Sequence, residues 1–84
     1  MQFYFITFRS VTFAQRAEKL LNLRGIRGSL MRTPRWMEEQ GCGYALKIWS
    51  EDIIPVIRFL GENKEQLRKV YALQEYGDMV EVKQ

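Results

Sequence analysis

Apolar residues recur along this chain in two rhythms, one typical of strands and one of helices. Phe3 to Phe8 (FYFITF) is aromatic and β-branched and too short for a helix, which predicts a buried central strand. Ser10 then offers an N-cap. Phe13, Ala14, Ala17, Leu20 and Leu21 follow at helical spacing, with Gln15, Arg16, Glu18 and Lys19 outward. Gly25 supplies a stop just past the helix, with Ile26 as its apolar follower. Gly28 to Thr33 predicts a second strand, placed at an edge because it carries Arg32 and ends at Pro34.

From Pro34 to Gly41 the pattern breaks into a polar loop containing Trp36 and Met37, longer than most hairpin connections. Gly43 to Trp49 then alternates. Tyr44, Leu46 and Ile48 are predicted to face the helices, and Gly43, Ala45, Lys47 and Trp49 to face away. A second helix follows Ser50-Glu51-Asp52, with Ile53, Val56, Ile57 and Leu60 as its apolar stripe. Asp52 is the preferred cap, because Pro55 is tolerated only near a helix start. Gly61 is the candidate stop, with a kinked continuation through Arg68 as the alternative. Val70 to Glu75 predicts a fourth strand, and Gly77-Asp78 can turn it into a short fifth, Met79 to Lys83. The order βαββαβ plus a tail predicts one α+β domain over residues 1–84, a ferredoxin-like sandwich with two helices on one face of an antiparallel sheet. The other face is left open, carrying either Phe3 and Phe5 or Tyr4 and Ile6.

Composition narrows the chemistry more than the fold. With 84 residues the chain buries only about 60–65% of its unfolded surface, enough for one core. At 46% hydrophobic and 27% charged residues it reads as globular. No apolar run approaches the ~20 residues of a membrane span, and MQFYFITF lacks the features of an export signal, so a cytoplasmic location without a membrane partner is expected. The absence of histidine removes Ser-His and Cys-His nucleophiles, and a single cysteine excludes an internal disulfide and a closed structural zinc site. No cofactor is expected. Net charge is +3 and the thirteen basic residues are scattered in sequence, so charge alone does not argue for nucleic acid.

The chemistry that remains centres on Gln40-Gly41-Cys42-Gly43-Tyr44. Gly41 and Gly43 free the backbone on both sides of the thiol, so that successive N–H groups can converge on it. Arg32, Arg35 and Lys47 lie near in sequence and would favour the thiolate, whereas Glu38 and Glu39 oppose it. Hydrolysis at Cys42 would need a base the chain does not provide. Carriage of a sulfur or selenium atom needs only an exposed, partly ionised thiol. Against this stands a structural reading: Cys42 as an inert small residue at a strand end, which parity counted back from Tyr44 would point toward the core.

Phe8-Arg9-Ser10, Ala17-Glu18-Lys19, Gly25-Ile26, Thr33-Pro34-Arg35 and Cys42-Gly43 together resemble the selenium/sulfur carrier protein-like family of small bacterial proteins, over about residues 3 to 73. The resemblance implies a carrier rather than a stand-alone enzyme. Cys42 would be its chalcogen-bearing thiol, with Gly41, Gly43 and Arg35 beside it. It further implies protein partners, a cysteine desulfurase-type donor and a chalcogen acceptor. The chain departs from the family pattern in having Glu38-Glu39-Gln40-Gly41 where small serines are usual and Arg32 where proline is common. Two other readings compete. One is a non-catalytic interaction or regulatory module that dimerises through the open sheet face. The other is an RNA-binding domain of the same βαββαβ order, ranked lower because placing Tyr44 on the open face would drive Lys47 into the core.

Overall fold

The computed structural model describes residues 1–33, 43–65 and 67–82. Five strands and two helices follow in the order β1 (Gln2–Phe8), α1 (Val11–Leu23), β2 (Gly28–Arg32), β3 (Tyr44–Ser50), α2 (Ile54–Glu62), β4 (Val70–Leu73) and β5 (Met79–Glu81). They form one sheet of order β2-β3-β1-β4-β5, antiparallel at every pairing. This is the predicted α+β, ferredoxin-like arrangement, with β5 added at the edge beside β4. The aromatic run is the central strand, flanked on both sides, and the strand that carries Arg32 is at an edge.

Register decides which side chains meet the helices. Tyr4, Ile6 and Phe8 of β1 stand opposite Ile48, Leu46 and Tyr44 of β3, and Ile6 and Tyr4 also stand opposite Val70 and Ala72 of β4. These residues join Ala14, Ala17 and Leu21 of α1 and Ile53, Val56 and Leu60 of the α2 segment in one core. Small side chains at Ala14 and Ala17, both fully buried, let α1 lie close on the sheet. At about 25 cal/mol per Å² of apolar surface, burial of each large side chain in this layer contributes on the order of 1.5–3 kcal/mol. A one-residue slip of β1 would turn Ile6 and Phe8 out of the core, so its register is strongly specified.

Phe3, Phe5 and Thr7 therefore occupy the face away from the helices, opposite Trp49, Lys47 and Ala45. That face covers much of itself. The Lys47 ammonium sits 4.2 Å from the centre of the Phe3 ring, Phe3 and Trp49 meet at 4.5 Å with their planes inclined by 58°, and Phe5 is only 6% exposed. Trp49 remains half exposed at the end of this cluster.

At the start of α2 the N-cap position falls on Ile53, one residue past the expected Asp52, and makes no side-chain cap bond of its own. The Ile54 N–H donates to Asp52 Oδ1 at 3.0 Å, and the Ser50 hydroxyl accepts the Asp52 N–H at 3.3 Å, so the acidic residue satisfies the helix start and the serine braces it. Ser10 holds the N-cap position of α1 in extended backbone but makes no side-chain cap bond. Gly61 does not end α2: the helix runs on to Glu62, and the left-handed residue is Lys64, at φ 59°. Nor does the helix continue through Arg68. β4 ends at Leu73 rather than Glu75, because Gln74 turns to accept the Gly77 N–H at 3.0 Å, with Gly77 at φ 89°. No helix among the described residues is long and apolar enough to cross a membrane.

Candidate functional site

The sequence directs attention to Gly41, Cys42, Gly43 and Arg35. Arg35, Gly41 and Cys42 lie outside the described residues, and Gly43 is described. Gly43 is buried, and its carbonyl accepts the Thr33 N–H at 3.0 Å, which extends the β2–β3 ladder one step past Arg32↔Tyr44. The glycine thus anchors one end of the 34–42 segment and Thr33 the other. Thr33 is itself buried, and its hydroxyl has no hydrogen-bond partner among the described residues.

Of the cations named for Cys42, Arg32 and Lys47 are among the described residues and Arg35 is not. Arg32 pairs with Tyr44 at the end of β2 and is exposed. Lys47 stands four residues along β3 from Gly43, roughly 13 Å at the strand rise, with its ammonium held over Phe3 on the face away from the helices. It belongs to the aromatic cluster of Phe3 and Trp49. Scattered in sequence, other cations converge in space. β1 delivers Arg9 just past Phe8, whose partner is Tyr44, and the segment before β4 delivers Arg68 and Lys69 alongside Thr7. Arg9, Arg32, Arg68 and Lys69 therefore share the end of the sheet at which Gly43 leads into β3. Arg68 is two strands from β3, roughly 10 Å. Sequence reasoning missed Arg9 and Arg68 because only the β1–β4 pairing, not proximity in the chain, brings them together. The signal was present in the antiparallel order itself, which places the end of β1 beside the start of β4.

The opposite end of the sheet has the contrary character. There Met1, Phe3, Trp49, Leu73 and Tyr76 line a groove of about 480 Å³, with Tyr76 almost wholly exposed. As a stacking platform for unpaired bases the face is poor, since Phe3 is capped by Lys47 and Phe5 is buried. Tyr44 points to the helix side, as the core packing against it shows.

Strand order and helix placement define a small α+β protein of ferredoxin-like arrangement, with Arg9, Arg32, Arg68 and Lys69 at the end of the sheet where Gly43 leads into β3. A family model described as "Putative Se/S carrier protein-like" matches residues 3–72, and the chain belongs to that family. No curated protein and no solved structure matches the chain.

Proposed function

We propose that this protein carries sulfur or selenium as a persulfide or perselenide on Cys42. The observation that supports it best is the family match, which spans the chain's one thiol. The cationic end of the sheet supports it further. The peptide bond to Gly43 ties Cys42 to the strand end where Arg9, Arg32, Arg68 and Lys69 gather, and positive charge near a thiol favours its anion. Arg35, with Gly41 and Gly43, completes the proposed site as the local cation and the freed backbone.

The transfer is balanced without an outside oxidant. The Cys42 thiolate attacks the outer sulfur of a donor cysteine persulfide, the donor S–S bond breaks, and the donor sulfur leaves as its own thiolate. The product is a persulfide on Cys42, which an acceptor thiolate takes by the same exchange. Perselenide transfer follows the same electron count. Both partners supply the remaining machinery, so the chain needs no base of its own.

Incubation with a cysteine desulfurase and cysteine, followed by intact mass measurement, is expected to show a gain of one sulfur that a reductant removes and Cys42→Ser abolishes. A parent protein that takes up no sulfur from a competent donor would sink the carrier reading and favour the interaction module.

A further inference from the structure

At the same end of the sheet lies a pocket that includes Arg9, Arg68 and Lys69, three of the cations the carrier reading draws on. Its volume is about 240 Å³, and Arg9, Phe13, Leu67, Arg68 and Lys69 line it. Main-chain bonds hold its walls. The Thr7 N–H donates to the Lys69 carbonyl at 2.9 Å, the Arg68 N–H donates to the Thr7 carbonyl at 2.8 Å, and the Thr7 hydroxyl accepts the Lys69 N–H at 3.0 Å. These bonds extend the β1–β4 ladder past its regular pairs and fix Arg9 and Arg68 on adjacent segments.

Like charges set on neighbouring segments repel. Among the described residues no carboxylate lines the pocket, and neither Arg9 nor Arg68 has an ion pair to offset the other. The first turn of α1, which supplies Phe13, contains no acid, and its N-cap serine makes no side-chain cap bond. The unsatisfied N–H groups of that turn add positive potential at the same end. A fold that tolerates such a concentration of positive charge in a concave site is prepared for an anion.

We propose that the pocket binds a phosphate monoester of a small organic molecule. The guanidinium forks of Arg9 and Arg68 match the oxygens of a phosphate, each able to donate two N–H groups. At about 30 Å³ per water, 240 Å³ holds roughly eight water molecules, more room than a bare oxyanion fills. Phe13 and Leu67 give the remaining space an apolar wall, suited to the organic group that the phosphate carries. The site does not depend on Cys42, so it and the carrier reading can fail separately.

The test is a titration of the full chain, labelled for amide NMR, with phenyl phosphate, with inorganic phosphate and with a glutamate-rich peptide, at matched ionic strength. Phenyl phosphate is expected to shift the amides of Arg9, Phe13 and residues 67–69 saturably and to bind at least threefold more tightly than inorganic phosphate. Arg9→Gln and Arg68→Gln should each weaken it about tenfold while amides elsewhere keep their positions. Cys42→Ser should bind as the parent does. Shifts that do not saturate, or that survive both arginine substitutions, overturn the site. Equal affinity for the two phosphates overturns the monoester assignment, and tighter saturation of the same amides by the peptide assigns the pocket to protein docking instead. Should a glutamine variant unfold, the parent decides the matter: rising NaCl must weaken the phenyl phosphate complex, and a salt-insensitive complex overturns the arginine contacts.

Discussion

At the end of α1 the Ile26 N–H donates to the Leu21 carbonyl at 2.9 Å and the Gly25 N–H to Asn22 at 3.0 Å. At the end of α2 the Glu65 N–H donates to Leu60 at 2.9 Å and the Lys64 N–H to Gly61 at 3.0 Å. Both are the same paired closure of the last turn, with a left-handed residue at its centre, Gly25 at φ 76° and Lys64 at φ 59°. The residues that follow are opposites. Ile26 packs against the core, whereas Glu65 is a buried carboxylate reached by Arg16 of α1 at 3.2 Å. One helix stops where its own chain prefers to, and the other where its neighbour holds it. The backbone pattern is common to both, so the difference lies in what secures the residue after the turn.

The strongest way to probe that equivalence is to remove the anchor that both closures share. Leu21 and Leu60 supply the two accepting carbonyls, and both side chains are fully buried. Leu21→Ala and Leu60→Ala should each destabilise the domain by about 2–5 kcal/mol, read as a lowered urea midpoint at unchanged slope. A loss much smaller at one site would show that its closure does not lean on the core. Next in size comes the ion pair that only α2 has. Arg16→Ala leaves the Glu65 side chain, 4% exposed, without its cation, while the arginine itself is 58% exposed and screened by water. The expected loss is about 1–3 kcal/mol, between that of a surface pair and that of a fully buried one. Glu65→Gln, which keeps the shape and removes the charge, should cost less than Arg16→Ala. The reverse order would mean that the carboxylate is held by something other than this arginine.

The same contrast explains what could be read from the sequence. The end of α1 was legible because Gly25 followed by Ile26 states the closure in residue types alone, and the central place of β1 followed from the unbroken aromatic and β-branched run Phe3 to Phe8. The end of α2 was misread, since Gly61 advertises a stop that the helix passes through. Its true stop depends on Leu60 reaching the core and on Glu65 reaching Arg16, forty-nine residues earlier in the chain, and no local pattern encodes such a contact. The cationic end of the sheet was hidden for the same reason. Arg9 and Arg68 are separated by most of the chain and meet only through the hydrogen bonds of Thr7. The glycine-flanked Cys42 lies outside the described residues, while Lys47, named with it for closeness in sequence, sits in the aromatic cluster on the face away from the helices.

The finest discrimination between the two helix ends comes from one substitution made at two glycines. Gly25 holds a left-handed conformation that an alanine adopts only with strain, although a methyl group there would touch nothing within 4 Å. Gly61 lies within α2, and a methyl group there also meets nothing within 4 Å. Space is therefore the same at both positions, and only backbone conformation differs. Gly25→Ala should destabilise by about 1 kcal/mol, because the φ > 0 penalty outweighs the reduced freedom of the unfolded chain. Gly61→Ala should stabilise by about 0.4–1 kcal/mol, because the helix interior prefers alanine and nothing is displaced. Opposite shifts of the urea midpoint are the expected result. If both variants lose stability, the turn at Lys64 must draw on the flexibility of Gly61, and α2 would be stopped from within its own last turn and not by Arg16.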